Sequence, residues 1–130
     1  MQNLSEQDRT ALASSLMRLF DNWKVDNADR MNLFGLPSDA RSRWLNGYRQ
    51  GTRALPNDED ILKRAEYFLA INESLMTTFP HSRAVSSVWM HTKNRKLDNQ
   101  SPIKLMLAGG LDGIYEVLCH LDCTQNWITY

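Results

Sequence analysis

CHLDC, residues 119–123, is the densest group of chemistry-bearing side chains in the sequence, and His81 and His91 stand elsewhere. Thiolates and imidazoles bind zinc, and a thiol beside a base can act as a nucleophile. On a helix of about 3.6 residues per turn, however, Cys119 and Cys123 share a face and His120 points about 100° away. Four convergent ligands, usually supplied by paired short loops, do not follow from that spacing. The two cysteines read as reduced core thiols of an intracellular protein. AGGLDG, residues 108–113, lacks the preceding strand and the lysine of a phosphate loop. Acid pairs such as Asp58/Asp60 read as charge at a helix start. No spacing locates a Ser-His-Asp arrangement. No cofactor, metal site or catalytic residue is expected, and a metal-binding or catalytic role through Cys119/His120/Cys123 is the least favoured reading.

A second chemistry open to the side chains is charge-based recognition. Fifteen basic and fifteen acidic residues cancel over 130 residues, so the chain as a whole has no polyanion-binding signature. Residues 1–57 carry eight Lys/Arg against six Asp/Glu, and residues 58–130 carry seven against nine. Arg41, Arg43, Arg49 and Arg53 form the sharpest local excess, with no acid between Arg41 and Arg53. Nucleic-acid contact, if made, belongs to this half. No apolar run is long enough to cross a bilayer, and the polar start MQNLSEQDRT lacks a signal-peptide core, so a cytoplasmic protein without a membrane partner is expected.

The elements that must position these groups read as helices throughout, for helix punctuation recurs and strand alternation is absent. Ser5 with Asp8 resembles a capping box, and Leu12, Leu16, Leu19, Phe20 and Trp23 follow as an apolar stripe. A short helix spans Asn27 to Phe34, with Met31 and Phe34 inward, and stops at Gly35. Pro37-Ser38 opens a third, with Ser38 as cap, and Gly47 marks its end. Residues 48–57, holding Gly51 and Pro56, form a hinge. The longest helix runs from Asp58 to about Phe79, capped by Asn57 or Asp58 and ended by Pro80. Ile61, Ala65, Phe68, Asn72, Leu75 and Phe79 share one of its faces, widened by Leu62, Leu69 and Met76. Ser82 begins another helix, with Ala84, Val85, Val88 and Trp89 inward. A short helix from Pro102 to Ala108 ends at Gly109-Gly110. The last helix carries Leu111, Ile114, Leu118 and Leu121, and the tail CTQNWITY follows. The fold class is all-α.

Residues 27–47, NADRMNLFGLPSDARSRWLNG, fit two helices about a tight turn at Gly35. As a helix-turn-helix, the second helix presents Ser38, Asp39, Arg41, Ser42, Arg43 and Asn46 to base edges, while Arg49 and Arg53 neutralise phosphates. Arg41 is off-pattern, standing where such motifs place an apolar core residue. Either its stem lies on the core with the guanidinium outside, or the helix is rotated. The alternative is an ordinary helical hairpin with a solvated basic face.

Residues 89–110, WMHTKNRKLDNQSPIKLMLAGG, describe a rigid corner. Asn94 and Asn99 can hydrogen-bond their own backbone, Leu97 can plug the gap between helices, and Ser101 caps a helix that Pro102 starts. Trp89, Asn94, Leu97, Ser101-Pro102, Leu105, Gly109 or Gly110 and an apolar final helix together resemble the toxin-binding domain of Xre/MbcA/ParS-type antitoxins. Upstream, LFGLPSDARSRWLNG (33–47) is similar to that family's Xre-like helix-turn-helix. The resemblance covers roughly residues 16–121. Where the family often has glycine two residues before Ser-Pro, this chain has Asn99, the non-glycine type that best tolerates the left-handed region.

The resemblance implies an N-terminal helix-turn-helix region (1–57) packed through a long central helix on a toxin-binding domain (58–121), with a tail (122–130). It implies an antitoxin that sterically inhibits a cognate RES-domain toxin, which consumes NAD, and that binds operator DNA to autoregulate as a homodimer or toxin complex. The candidate toxin-binding residues are Trp89, Asn94, Arg95, Lys96, Leu97, Trp127 and Tyr130. For Lys93, Arg95 and Lys96, solvated charge is the alternative to partner contact. For Trp127, folding back on the last helix is the alternative to anchoring a toxin. Leu97 and Leu105 read equally as core. A stand-alone transcription regulator without a toxin is the competing function.

Overall fold

The Ser5 hydroxyl accepts from Asp8 N–H at 3.0 Å, and the Asp8 carboxylate accepts from Ser5 N–H at 3.3 Å. This reciprocal cap satisfies two orphan donors and fixes where the first helix begins. The computed structural model describes residues 4–80 and 83–128, with side chains described over 4–80 and 84–122. In order, the elements are α1 (Glu6–Asn22), α2 (Asn27–Phe34), α3 (Trp44–Gln50), α4 (Glu59–Thr78), α5 (Arg83–His91), a 3-10 turn (Arg95–Leu97) and α6 (Pro102–Ile128). The protein is all-helical. Among the described residues the one extended pairing is the bridge between Asn94 and Gln100. The chain divides into two compact units, Met1–Glu66 and Tyr67–Tyr130, and the division falls inside α4.

In the first unit α1 packs on α3. Leu12, Leu16, Leu19, Phe20 and Trp23 are buried, as their spacing requires. Phe20 meets Phe34 edge-on at 5.2 Å between centroids, and Phe34 meets Tyr48 at 5.4 Å. Burial pushes the Tyr48 phenol up to about 12, although the nearby Arg53 pulls it down. Asp26 caps α2, and Gly35 ends it in the left-handed region at φ 71°. Leu33 and Phe34 make its buried face, while Met31 is only half-buried.

The third helix differs from expectation. Residues 36–43 form turns, with Ala40 N–H donating to the Pro37 carbonyl and Trp44 N–H to that of Arg41. α3 begins only at Trp44, without a side-chain cap, and stops at Gly51, φ 76°. Ser38 and Asp39 therefore start no helix, and Gly47 lies inside α3 rather than at its end. What Gly47 supplies is space: a Cβ there would stand 2.9 Å from Arg53 Cβ. Its carbonyl accepts from both Thr52 and Arg53 N–H.

Asp21 is the electrostatic hub of this unit. Its carboxylate takes the buried Arg30 guanidinium at 2.8 Å and both terminal nitrogens of Arg49, at 2.6 and 3.0 Å. The hydrogen bond from Arg49, joined by Arg30, holds the Asp21 carboxyl down at about 2 against desolvation. Stability from this group is present above its ordinary value of 3.8 and is lost as pH falls through about 2. Asp21→Ala leaves the buried Arg30 guanidinium without its carboxylate, with Nε still donating to the Val25 carbonyl at 2.8 Å. At a position 40% exposed the expected cost is about 1–3 kcal/mol, below that of a fully buried pair. Arg49→Ala removes an exposed partner and should cost about 0–1 kcal/mol. Urea denaturation of both variants measures the difference, and equal losses would contradict the hub.

In α4, Asp58 caps through Ile61 N–H at 3.1 Å. Ile61, Leu62, Ala65, Phe68, Ile71 and Leu75 are buried, but Met76 is 59% exposed and does not join the stripe. α5 inverts its expected orientation. Ser86, Ser87 and Met90 are buried, Ala84 is exposed, and Val85 and Val88 are 40% and 65% exposed. α5 and the 3-10 turn both pack on α6, which is broken at Gly110 (φ 60°, ψ −139°). That combination is reached essentially only by glycine.

Candidate functional site: the Trp89 to Gly110 elbow

Asn94 organises the elbow from both ends of its amide. Its Oδ1 accepts from Lys96 N–H at 2.9 Å, so its Nδ2 points away, towards Nε2 of His120 at 3.2 Å. Its backbone carbonyl accepts from Leu97 and Asn99 N–H, and its own N–H donates to the Gln100 carbonyl. Asp98 and Asn99 both adopt the left-handed region, at φ 56° and 60°. Asn99 thus turns the chain where the resembled family often uses glycine. Leu97 is 2% exposed and plugs the turn from inside. Ser101 Oγ accepts from Lys104 N–H at 3.3 Å, and Pro102 opens α6.

Two glycines on α6 have different tasks. Gly109 has open space where a Cβ would stand, whereas a Cβ on Gly113 would lie 2.3 Å from the Leu105 carbonyl oxygen. The break at Gly110 folds the helix so closely that only glycine passes at 113. Gly113→Ala should lower stability by about 3 kcal/mol or more. Gly109→Ala should be neutral or stabilising by up to about 0.5–1 kcal/mol. Thermal unfolding of the pair checks this, and two similar melting temperatures would refute the close approach.

The elbow closes around a cleft of about 350 Å³ lined by Thr78, Phe79, Trp89, Asn94, Arg95, Lys96, His120 and Leu121. The Trp89 and His120 rings stack at 6.3 Å with 12° between planes. Burial, and then the charge of Lys96, lower the His120 pKa. Because Asn94 presents a donor, the favoured imidazole is neutral with its proton on Nδ1. A second cleft of about 270 Å³ in the same unit carries Glu73 and Asp122.

The sign of the resulting pH dependence is fixed. With the folded pKa below 6.5, the unfolded chain takes the proton first as pH falls. Stability contributed by neutral His120 is present above that value and is lost on acidification, levelling off below the folded pKa. His120→Gln keeps an acceptor for Asn94 but does not titrate. The wild type should lose more stability than this variant between pH 7.5 and 5.5. Parallel pH profiles would contradict the arrangement.

Trp89 and Asn94 face this cleft, Arg95 and Lys96 are exposed on its rim, and Leu97 is core. The side chain of Trp127 and the whole of Tyr130 lie outside the described residues, as do His81 and the side chain of Cys123. Cys119 is half-buried, and its hydrogen bond raises the Tyr115 pKa. Among the described residues no three His, Cys, Asp or Glu converge as a metal site. His120 is the elbow's central partner, and at 26 positions from Asn94 no helical spacing connects the two.

In the first unit Ser38, Asp39, Arg41, Ser42, Arg43, Asn46, Arg49 and Arg53 are all exposed. Only Asn46 and Arg49 lie on a helix. Arg49 is held by Asp21, and Arg53 stacks on the Trp44 ring at 4.3 Å. No described helix is long and apolar enough to cross a membrane.

The elbow coincides with a family match. Residues 74–123 match the model described as Antitoxin Xre/MbcA/ParS C-terminal toxin-binding domain. The resemblance to Xre/MbcA/ParS-type antitoxins is therefore borne out over this segment, and an antitoxin role with a toxin partner follows for it. Comparisons with curated proteins and with solved structures gave no match.

Proposed function

We propose that this protein is the antitoxin of a type II toxin–antitoxin pair, that it sterically occludes a RES-domain, NAD-consuming toxin, and that it works in the cytoplasm without catalysis of its own. The observation that carries this reading is the family match over 74–123, centred on an elbow whose turn, plug and cap are internally satisfied. Such a surface loses little ordering entropy on binding. Apolar side chains held outward on α5 add to it, with Val88 65% exposed. Val88→Asp should leave the melting temperature within about 2 °C, since exposed substitutions cost little, while weakening the toxin complex. Mixing the wild-type chain with the RES toxin should suppress NAD loss. Unchanged NAD consumption and no complex would overturn the proposal, leaving the stand-alone regulator.

The same protein binds operator DNA and represses its own operon, as a homodimer or with the toxin. Supporting this, Arg41 and Arg43 are exposed and make no ion pair among the described residues. Arg49 already has Asp21. Arg41→Ala and Arg43→Ala should each weaken binding across sequences and reduce the salt slope by about 1. An unchanged slope in filter binding would remove both from the phosphate contact.

A further inference from the structure

The elbow cleft joins an apolar floor to a basic rim. Phe79, Trp89 and Leu121 form the floor, and Arg95 and Lys96 the rim. Thr78 Oγ1, on the same lining, is buried and has no hydrogen-bond partner. From Val88 to Leu97 the sequence holds Lys93, Arg95 and Lys96 and no acidic residue. All three cations are exposed, and none forms an ion pair among the described residues. In open water such charges contribute little. Beside an apolar occupant that excludes water, their attraction for a carboxylate grows, and Arg95 can bind one through two nitrogens.

We infer that this cleft seats an acidic–aromatic segment of the toxin: one apolar ring enters against Phe79 and Trp89, and an adjacent carboxylate pairs with Arg95 and Lys96. The inference rests on the toxin-binding reading and names the part of the toxin that the site recognises. About 350 Å³ accommodates one large side chain with its local backbone, and an apolar floor has no use for a phosphate chain. The neighbouring depression, with Glu73 and Asp122, has the opposite sign. An acidic segment is therefore steered to one of the two and turned away from the other.

The test is a nuclear magnetic resonance titration of the full chain with 3-phenylpropionate, an aromatic carboxylate. The reporters are the Trp89 indole N–H, the Asn94 side-chain amide and the His120 ring. A saturable shift of all three is expected, weakened roughly fivefold or more by Arg95→Gln with Lys96→Gln and unaffected by Glu73→Gln. The neutral 3-phenylpropanamide should bind more weakly. No saturable shift, or equal response to the neutral amide, overturns the inference, as does a stronger response to inorganic phosphate or a short DNA duplex. A RES toxin that forms a complex insensitive to Arg95→Glu with Lys96→Glu leaves the antitoxin function standing and removes this cleft from it. A chain that binds the carboxylate but no RES toxin overturns the toxin reading and the occupant together.

Discussion

The amide of Asn94 cannot turn over without losing its bond from Lys96 N–H. With Oδ1 committed to Lys96 N–H, Nδ2 faces His120, and an imidazole that accepts there must be neutral on Nε2. This one side chain ties the 3-10 turn to the second segment of α6, while its backbone groups close the turn on Leu97, Asn99 and Gln100. The stack of Trp89 on His120 then fixes α5 against the same ring. Each of these bonds is worth only about 0.5–1.5 kcal/mol net. Sharing one residue makes them cooperative, so the cleft and its basic rim exist before any partner arrives.

Charge does different work in the two units. In the first, Asp21 gathers Arg30 and Arg49 internally, and Arg53 lies on Trp44, so two of the four clustered arginines have structural partners. Arg41 and Arg43 remain turned outward on a turn. At the elbow, Lys93, Arg95 and Lys96 have no such partners among the described residues. Of the clustered cations, two without an ion pair among the described residues stand at 41 and 43 in the first unit, and three stand at 93, 95 and 96 in the second.

Local rules carried much of the fold into view. The Ser5/Asp8 box, the Gly35 stop, the Asp58 cap, the Ser101-Pro102 start and the break at Gly110 each depend on a few neighbouring residues, and each stands where its chemistry requires. α3 was less legible, because Ser38 and Asp39 carry capping chemistry that the 36–43 turns use otherwise, and Trp44 starts its helix with no cap at all. The buried face of α5 departs from its periodicity for a different reason. Periodicity assigns the most apolar side inward, but here Ser86 and Ser87 are buried and Val88 is not. Small hydroxyls allow close helix packing, and Val88 stays 65% exposed. His120 was hidden by sequence distance: its partner Asn94 is 26 positions away, beyond any helical spacing.

The cleft and its basic rim depend on the elbow being formed in the free protein. Hydrogen exchange of the isolated chain, resolved at the amides of Lys96, Leu97, Asn99 and Gln100, measures this directly. Protection approaching that of the α4 interior is the predicted result. Exchange at the rate of an unstructured peptide, with α4 still protected, would contradict it.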